Sequence, residues 1–236
     1  MMTSGLSAAL AIAKKDILIQ LRKKFEAFSM FLFALIAVLA YSFALVSQGA
    51  IPADVGSAML WVIIFFMGMF GFAPIFLSES ETGTLRGLAT APIPAWAVYL
   101  GKVIYGFVLM GIVEVFLVPI ISLLFGFSFL NDLPLTIAVL VVGTLDLAAV
   151  GSMASALVMP SEAKATVFPL VYFPTATSGL IILIEITKAI VLGSMFMGIG
   201  IMSPEQTIML LFEILLAHLI AMLTLSASVF HFALSP

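Results

Sequence analysis

The chain has 236 residues, of which 64% are hydrophobic and only 9% charged, with a mean hydropathy of +1.31. A soluble globular domain carries about 25% charged residues, so that class is excluded and a polytopic membrane protein is expected. The formal net charge of −3 decides little, because the placement of Lys and Arg matters more than their sum, and the absence of cysteine removes disulfides, thiolate metal sites and C-x-x-C-H haem attachment.

The length holds about six spans of roughly 20 residues, with no room for a large soluble domain. Residues 1–27 precede the first apolar run, which is too long for a signal-peptide core, so no cleaved leader is expected. Within them, residues 5–26 read as an amphipathic interfacial helix. Leu6, Leu10, Ala13, Ile17, Leu21 and Phe25 recur at three- and four-residue spacing, with Lys15, Arg22 and Glu26 opposite. Lys24 interrupts the stripe, where its long stem can snorkel.

Six apolar segments follow, near 28–47, 57–77, 98–125, 134–158, 166–184 and 206–230. A further apolar stretch, 189–201, is too short to span and contains Gly193, Gly198 and Gly200, which suits a re-entrant half-helix. In the fourth span Ala148, Ser152 and Ala156 share a face, with Gly151 and Ser155 beside it, so a close helix contact is expected there. Pro169 and Pro174 predict a kink or a break in the fifth span.

The cations fix an orientation. Lys14, Lys15, Arg22, Lys23, Lys24, Arg86, Lys102 and Lys164 fall on one side and Lys188 alone on the other. That bias places the N-terminus, the 78–96 loop, the 160–165 loop and the C-terminus in the cytoplasm.

Residues 78–96, SESETGTLRGLATAPIPAW, form the one substantial polar, turn-rich stretch in the middle of the chain. They read as a short amphipathic helix capped by Ser80 or Thr82, with Glu79 and Glu81 near its positive end. Leu85 and Leu88 lie three apart on one face, and Ala91-Pro92 ends the helix. Such an element fits a cleft on a soluble partner; an ordinary interfacial turn is the alternative.

The run from Glu81 through Gly83, Thr84, Leu85 and Leu88 to Pro92, followed by Gly101 and Lys102, resembles the coupling loop of ABC-2-type exporter permeases, E-x-G-[ST]-L-x-x-L-x-x-[AS]-P. Several features resemble one branch, the CcmB family, membrane subunit of the haem exporter of cytochrome c maturation. They are the Pro92-Ile93-Pro94 tail, six spans without a soluble domain, the basic N-terminal helix, LWVIIFF at 60–66 and the proline-bearing fifth span.

The resemblance implies an all-α membrane protein: an interfacial helix in 1–27, then a six-span permease domain over 28–236 with a cytoplasmic coupling helix in the 78–96 loop. It assigns Glu79, Glu81, Gly83, Thr84, Leu85, Leu88, Pro92 and Pro94 to coupling. It also implies a homodimer, a CcmA-like ABC ATPase, CcmC-like and CcmD-like haem-handling partners, the inner membrane, alternating access and haem as cargo. The chain has no G-x-x-x-x-G-K-[ST], so ATP is used by the partner and not by this chain. No catalytic, metal or cofactor site of its own and no nucleic-acid partner are expected, and no Ser/His pairing stands at plausible spacing. The alternatives are an ABC-2 exporter of another cargo, such as a drug, lipid or polysaccharide, and a proton-coupled secondary carrier.

Five ionisable groups lie in apolar surroundings: Glu114, Asp146, Glu185, Glu213 and His218. Each costs about 2.5–3.5 kcal/mol on insertion scales and needs an account. Glu114 and Asp146 both lie 16 residues from Leu130, the centre of the loop joining their spans, which places them at similar depth. If their faces meet, they can share a proton in a polar pair lining a path or gate; the preferred alternative is neutral carboxyls hydrogen-bonding helix to helix. Glu185 and Lys188 are spaced to pair on one turn. His218 can in principle ligate haem iron, and a helix–helix hydrogen bond is the preferred reading. The 14 methionines and 21 phenylalanines read as apolar filling.

Overall fold

The computed structural model describes residues 2–45, 52–73, 75, 93–126, 132–159, 161, 163–193, 199 and 202–233. Among them are seven helices: α1 (Met2–Arg22), α2 (Lys24–Leu45), α3 (Ala53–Phe72), α4 (Ala95–Phe125), α5 (Leu133–Leu157), α6 (Lys164–Leu192) and α7 (Pro204–Ala233). Helices α2 to α7 are each long and apolar enough to cross a bilayer, and the described residues contain no strand. This is an all-helical, multi-pass membrane protein.

Local chemistry sets the helix ends. Asp132 caps α5, its side chain accepting from Leu135 N at 3.1 Å, with Pro134 in the first turn where a missing N–H costs nothing. Gly126 ends α4 with φ +69°, a left-handed conformation that favours glycine. Pro94 stands just before α4 in extended backbone.

The fifth span does not break at its prolines, one of the two outcomes expected of them, and it runs past the expected end at 184: α6 is continuous from Lys164 to Leu192. Thr175 and Thr177 donate back to the carbonyls of Val171 and Phe173 at 2.7 and 2.6 Å, supporting the turn around Pro174. Glu185 and Lys188 pair at 2.7 Å, as their spacing predicted, so their charges do not end the helix. Residues 189–192 therefore complete the fifth span. Residues 194–198, 200 and 201 of the expected half-helix lie outside the described residues.

Helices α3 and α5 form the centre, and α5 touches α3, α4, α6 and α7. The small-residue face of α5 is buried as expected (Ala148, Ser152 and Ala156). Phe72 of α3 lies between Gly106 of α4 and Gly151 of α5, and a Cβ on either glycine would overlap its ring. Ser155 Oγ donates to Phe72 O at 3.0 Å in the same place. Trp61 packs on Gly143 and donates from Nε1 to Thr187 Oγ1 at 2.7 Å. Phe65, Tyr172 and Phe168 stack at centroid spacings of 4.8 and 5.3 Å, joining α3 to α6.

Helix α1 packs along the first turns of α4. The face it uses is Gly5, Ala9, Ile12, Ala13 and Asp16, rotated from the predicted stripe. Of the described side chains of that stripe only Ala13 is buried; Leu6, Leu10 and Leu21 are exposed on the outer surface of the protein. The reason is size. Small residues let α1 approach α4 closely: a Cβ on Gly101 would meet Ala9 O at 2.8 Å, and one on Gly5 would meet the Trp96 ring.

Candidate functional site

Of the expected coupling residues, Glu79, Glu81, Gly83, Thr84, Leu85, Leu88 and Pro92 lie outside the described residues, as does the expected coupling helix; Pro94 is described. The chain emerges from that loop into α4, whose first two turns carry Gly101 and Lys102. Lys102 is 1% exposed, and its Nζ lies 2.9 Å from Asp16 Oδ2, while Lys15 meets Asp16 Oδ1 at 3.0 Å. A buried ammonium is tolerated only with such a partner. The Gly-Lys pair at the start of the third span thus has a local cause: the glycine admits α1, and the lysine pairs with it. Sequence reasoning singled out Lys102 for its sign and missed Asp16.

The polar groups inside the membrane divide between two faces of α5. On one, Thr144 Oγ1 bonds to Glu114 Oε1 of α4 and also donates to Leu140 O at 2.7 Å. Glu114 is buried and lines a groove of about 350 Å³ between α4 and α5, otherwise walled by apolar residues such as Phe107, Val115, Ile137 and Val141.

On the other face, Asp146 is fully buried and its Oδ1 lies 2.8 Å from His218 Nδ1 of α7. The far ring nitrogen, Nε2, lies 2.9 Å from Ser178 Oγ of α6. Gly179 makes room for this junction, because a Cβ there would overlap Asp146 Oδ2 and crowd the His218 ring.

The expected Glu114–Asp146 pair is therefore corrected. The two carboxyls take separate partners, since Thr144 and Asp146 are two residues apart and so about 200° apart around α5. The depth argument held to within two residues, as the partner of Glu114 is Thr144. It could not give the rotation of the helix.

The junction of Asp146, His218 and Ser178 is a chain of hydrogen bonds joining α5, α7 and α6. Ser178 Oγ also lies 3.3 Å from Thr175 O, to which its hydroxyl donates. With Nε2–H donating to Ser178 Oγ, one proton shared between Nδ1 and Oδ1 would leave the pair without net charge, the state a bilayer interior favours. Asp146 Oδ2 and the buried Ser152 Oγ and Tyr172 hydroxyl have no hydrogen-bond partner among the described residues.

This order also resembles a nucleophilic triad, so the expectation of no Ser/His pairing is corrected. The two residues are 40 apart in sequence, and only the packing of α6 on α7 brings them together. Ser178 lies inside a continuous helix, however, whose N–H groups are committed to its own ladder. No backbone N–H of that helix therefore stands free beside it to hold an oxyanion. The junction ties helices and holds a proton, in keeping with the preferred reading of His218 as a helix–helix hydrogen-bonding residue.

Glu213 differs from the other intramembrane acids. It is exposed on α7, with no ion pair or hydrogen bond among the described residues. The described residues also hold no group of three or more His, Cys, Asp or Glu suited to a metal ion.

Comparison with known proteins covers nearly the whole chain. The sequence model of the family described as CcmB protein matches residues 7–235. Heme exporter protein B of Rhodobacter capsulatus is 30% identical over 156 residues, which is 66% of this chain and 71% of that protein.

Proposed function

The chain belongs to the CcmB family, and from that premise we propose that it is the membrane-spanning permease subunit of an ATP-driven ABC exporter serving cytochrome c maturation. Its cargo is haem, either carried across or released from a haem chaperone. The observation that carries this reading is the family match over residues 7–235, which includes the 78–96 loop.

In this reading two copies of the chain pair with two copies of a separate, CcmA-like ATPase, and CcmC-like and CcmD-like haem-handling proteins complete the assembly. The protein lies in the inner membrane with both termini and the 78–96 loop cytoplasmic, the side that takes eight of the nine cations. Glu79, Glu81, Gly83, Thr84, Leu85, Leu88, Pro92 and Pro94 form the element that the ATPase moves. ATP-driven closure of the ATPase pair displaces this element, and α4 carries the displacement into the bundle. The buried Asp16–Lys102 pair supports that route, because it fastens α1 to the first turns of α4, next to the loop. The reading of a proton-coupled carrier drew on a Glu114–Asp146 pair, and the separate partners of those carboxyls weaken it.

The test is recovery of partners. The chain is solubilised from its own cells and purified with its native loop or with Glu81→Lys plus Leu85→Asp. The expected result is an ABC ATPase with the native loop and none with the altered one, while both forms keep the same tryptophan fluorescence. Absence of an ATPase from both would overturn the reading.

A further inference from the structure

The structure accounts within the chain for every intramembrane acid except one. Glu114 is bonded to Thr144, Asp146 to His218 and Glu185 to Lys188. Glu213 is exposed. It lies nine residues into α7, about 13 Å along the helix axis from its start, within the apolar span Pro204–Phe230. It also stands five residues from His218, roughly 140° around the helix, so it points away from the junction with α5 and α6. A carboxyl at that depth facing hydrocarbon is costly, and such residues almost always face a bundle interior or a partner.

The surface around it suits a second helix. Met209, Glu213, Leu216 and Ile220 follow one another at spacings of four, three and four, the seam of a helix pair. Met209 is 66% exposed and Ile220 61%. Helix α7 is also the least buried of the six spans, at 11% of its most apolar window.

We propose that this face of α7 docks a transmembrane helix of a different protein, which brings a basic side chain to Glu213. Charge complementarity selects the occupant. A lipid tail offers no donor. Among the described side chains a second copy of this chain offers no uncommitted cation at that depth, because Lys102 is paired with Asp16 and Lys188 with Glu185. In a two-fold interface centred on this seam the two Glu213 carboxyls would face each other. The inference rests on the reading of this chain as one subunit of a membrane complex, but it concerns a membrane-spanning partner and not the ATPase.

The test uses the full chain in its own membranes, with a photo-reactive side chain placed in turn at Met209, Leu216 and Ile220, and at Phe43 of α2 as an off-seam control. The expected result is a cross-link from the three seam positions, and not from Phe43, to one membrane protein other than this chain. Glu213→Leu should reduce that cross-link at least tenfold. Glu213→Lys combined with an acidic residue in place of the captured helix's cation should restore it. Cross-links only to a second copy, or only to lipid, would overturn the inference, as would a cross-link that Glu213→Leu leaves unchanged. Continued recovery of the ATPase in the Glu213 variants separates loss of this contact from failure of the transporter reading.

Discussion

His218 of α7 reaches across to Asp146 of α5 with 2.8 Å between Nδ1 and Oδ1, and the same imidazole holds Ser178 of α6 at 2.9 Å. One side chain thus ties three spans at a fully buried carboxyl. Asp146→Ala leaves the imidazole without its partner and should destabilise the protein by about 1–3 kcal/mol. Asp146→Asn should cost less, since the amide can donate to Nδ1 while Nε2–H keeps Ser178. Ser178→Ala removes only the outer bond and should cost about 0.6 kcal/mol, the usual size of such bonds in a membrane. Unfolding in mild detergent, followed by tryptophan fluorescence, checks the order. Equal losses for Ser178→Ala and Asp146→Ala would count against a junction centred on Asp146.

Glu114 is expected to act as a hydrogen-bonding group, not a charge. Glu114→Gln keeps polar atoms that can hydrogen-bond Thr144 Oγ1, so nucleotide-driven transport should stay within about twofold of wild type, a barrier change of roughly 0.4 kcal/mol. Thr144→Val should lower stability by about 1 kcal/mol. Loss of transport in Glu114→Gln in a stable protein would revive a proton-carrying role.

Phe72 fills the space left by Gly106 and Gly151. Gly151→Leu should therefore cost about 1–3 kcal/mol by overpacking, and Phe72→Ala about 3–5 kcal/mol by opening a cavity. Combined, the two should cost less than their sum by about 0.5–3 kcal/mol, because the new side chain occupies the vacated volume. Strict additivity in a double-mutant unfolding cycle would show that the ring and the glycine do not meet.

Lys102 is buried against Asp16. Asp16→Asn removes the carboxylate that faces the buried ammonium and should destabilise the α1–α4 contact by about 3–5 kcal/mol, the cost typical of breaking a buried pair. Exchanging the charges, Asp16→Lys with Lys102→Asp, should recover part of the loss. Unfolding in mild detergent, followed by tryptophan fluorescence, checks both, since the Trp96 ring packs on Gly5 at this contact.

Hydropathy alone picked out the six helices that, among the described residues, are long and apolar enough to cross a membrane, and it located five of them to within about five residues at each end. A helix in lipid must satisfy its own backbone, so each span is written as a contiguous apolar run that needs no other part of the chain to be recognised. The same locality made the Glu185–Lys188 pair legible, since both partners sit on one turn. The end of α6 was misjudged for the converse reason. Its last two turns carry two charges that lower the local hydropathy, yet those charges neutralise each other. What only the tertiary structure decided was which side chains meet between helices. Equal spacing from a loop fixes depth, but each residue turns a helix by about 100°, and nothing in one sequence states how a helix is rotated against its neighbours. Packing sets that rotation: Phe72 in the notch of Gly106 and Gly151, and Gly179 beneath the His218 ring. With it come the partners of Glu114, Asp146 and Lys102, and the outward position of Glu213.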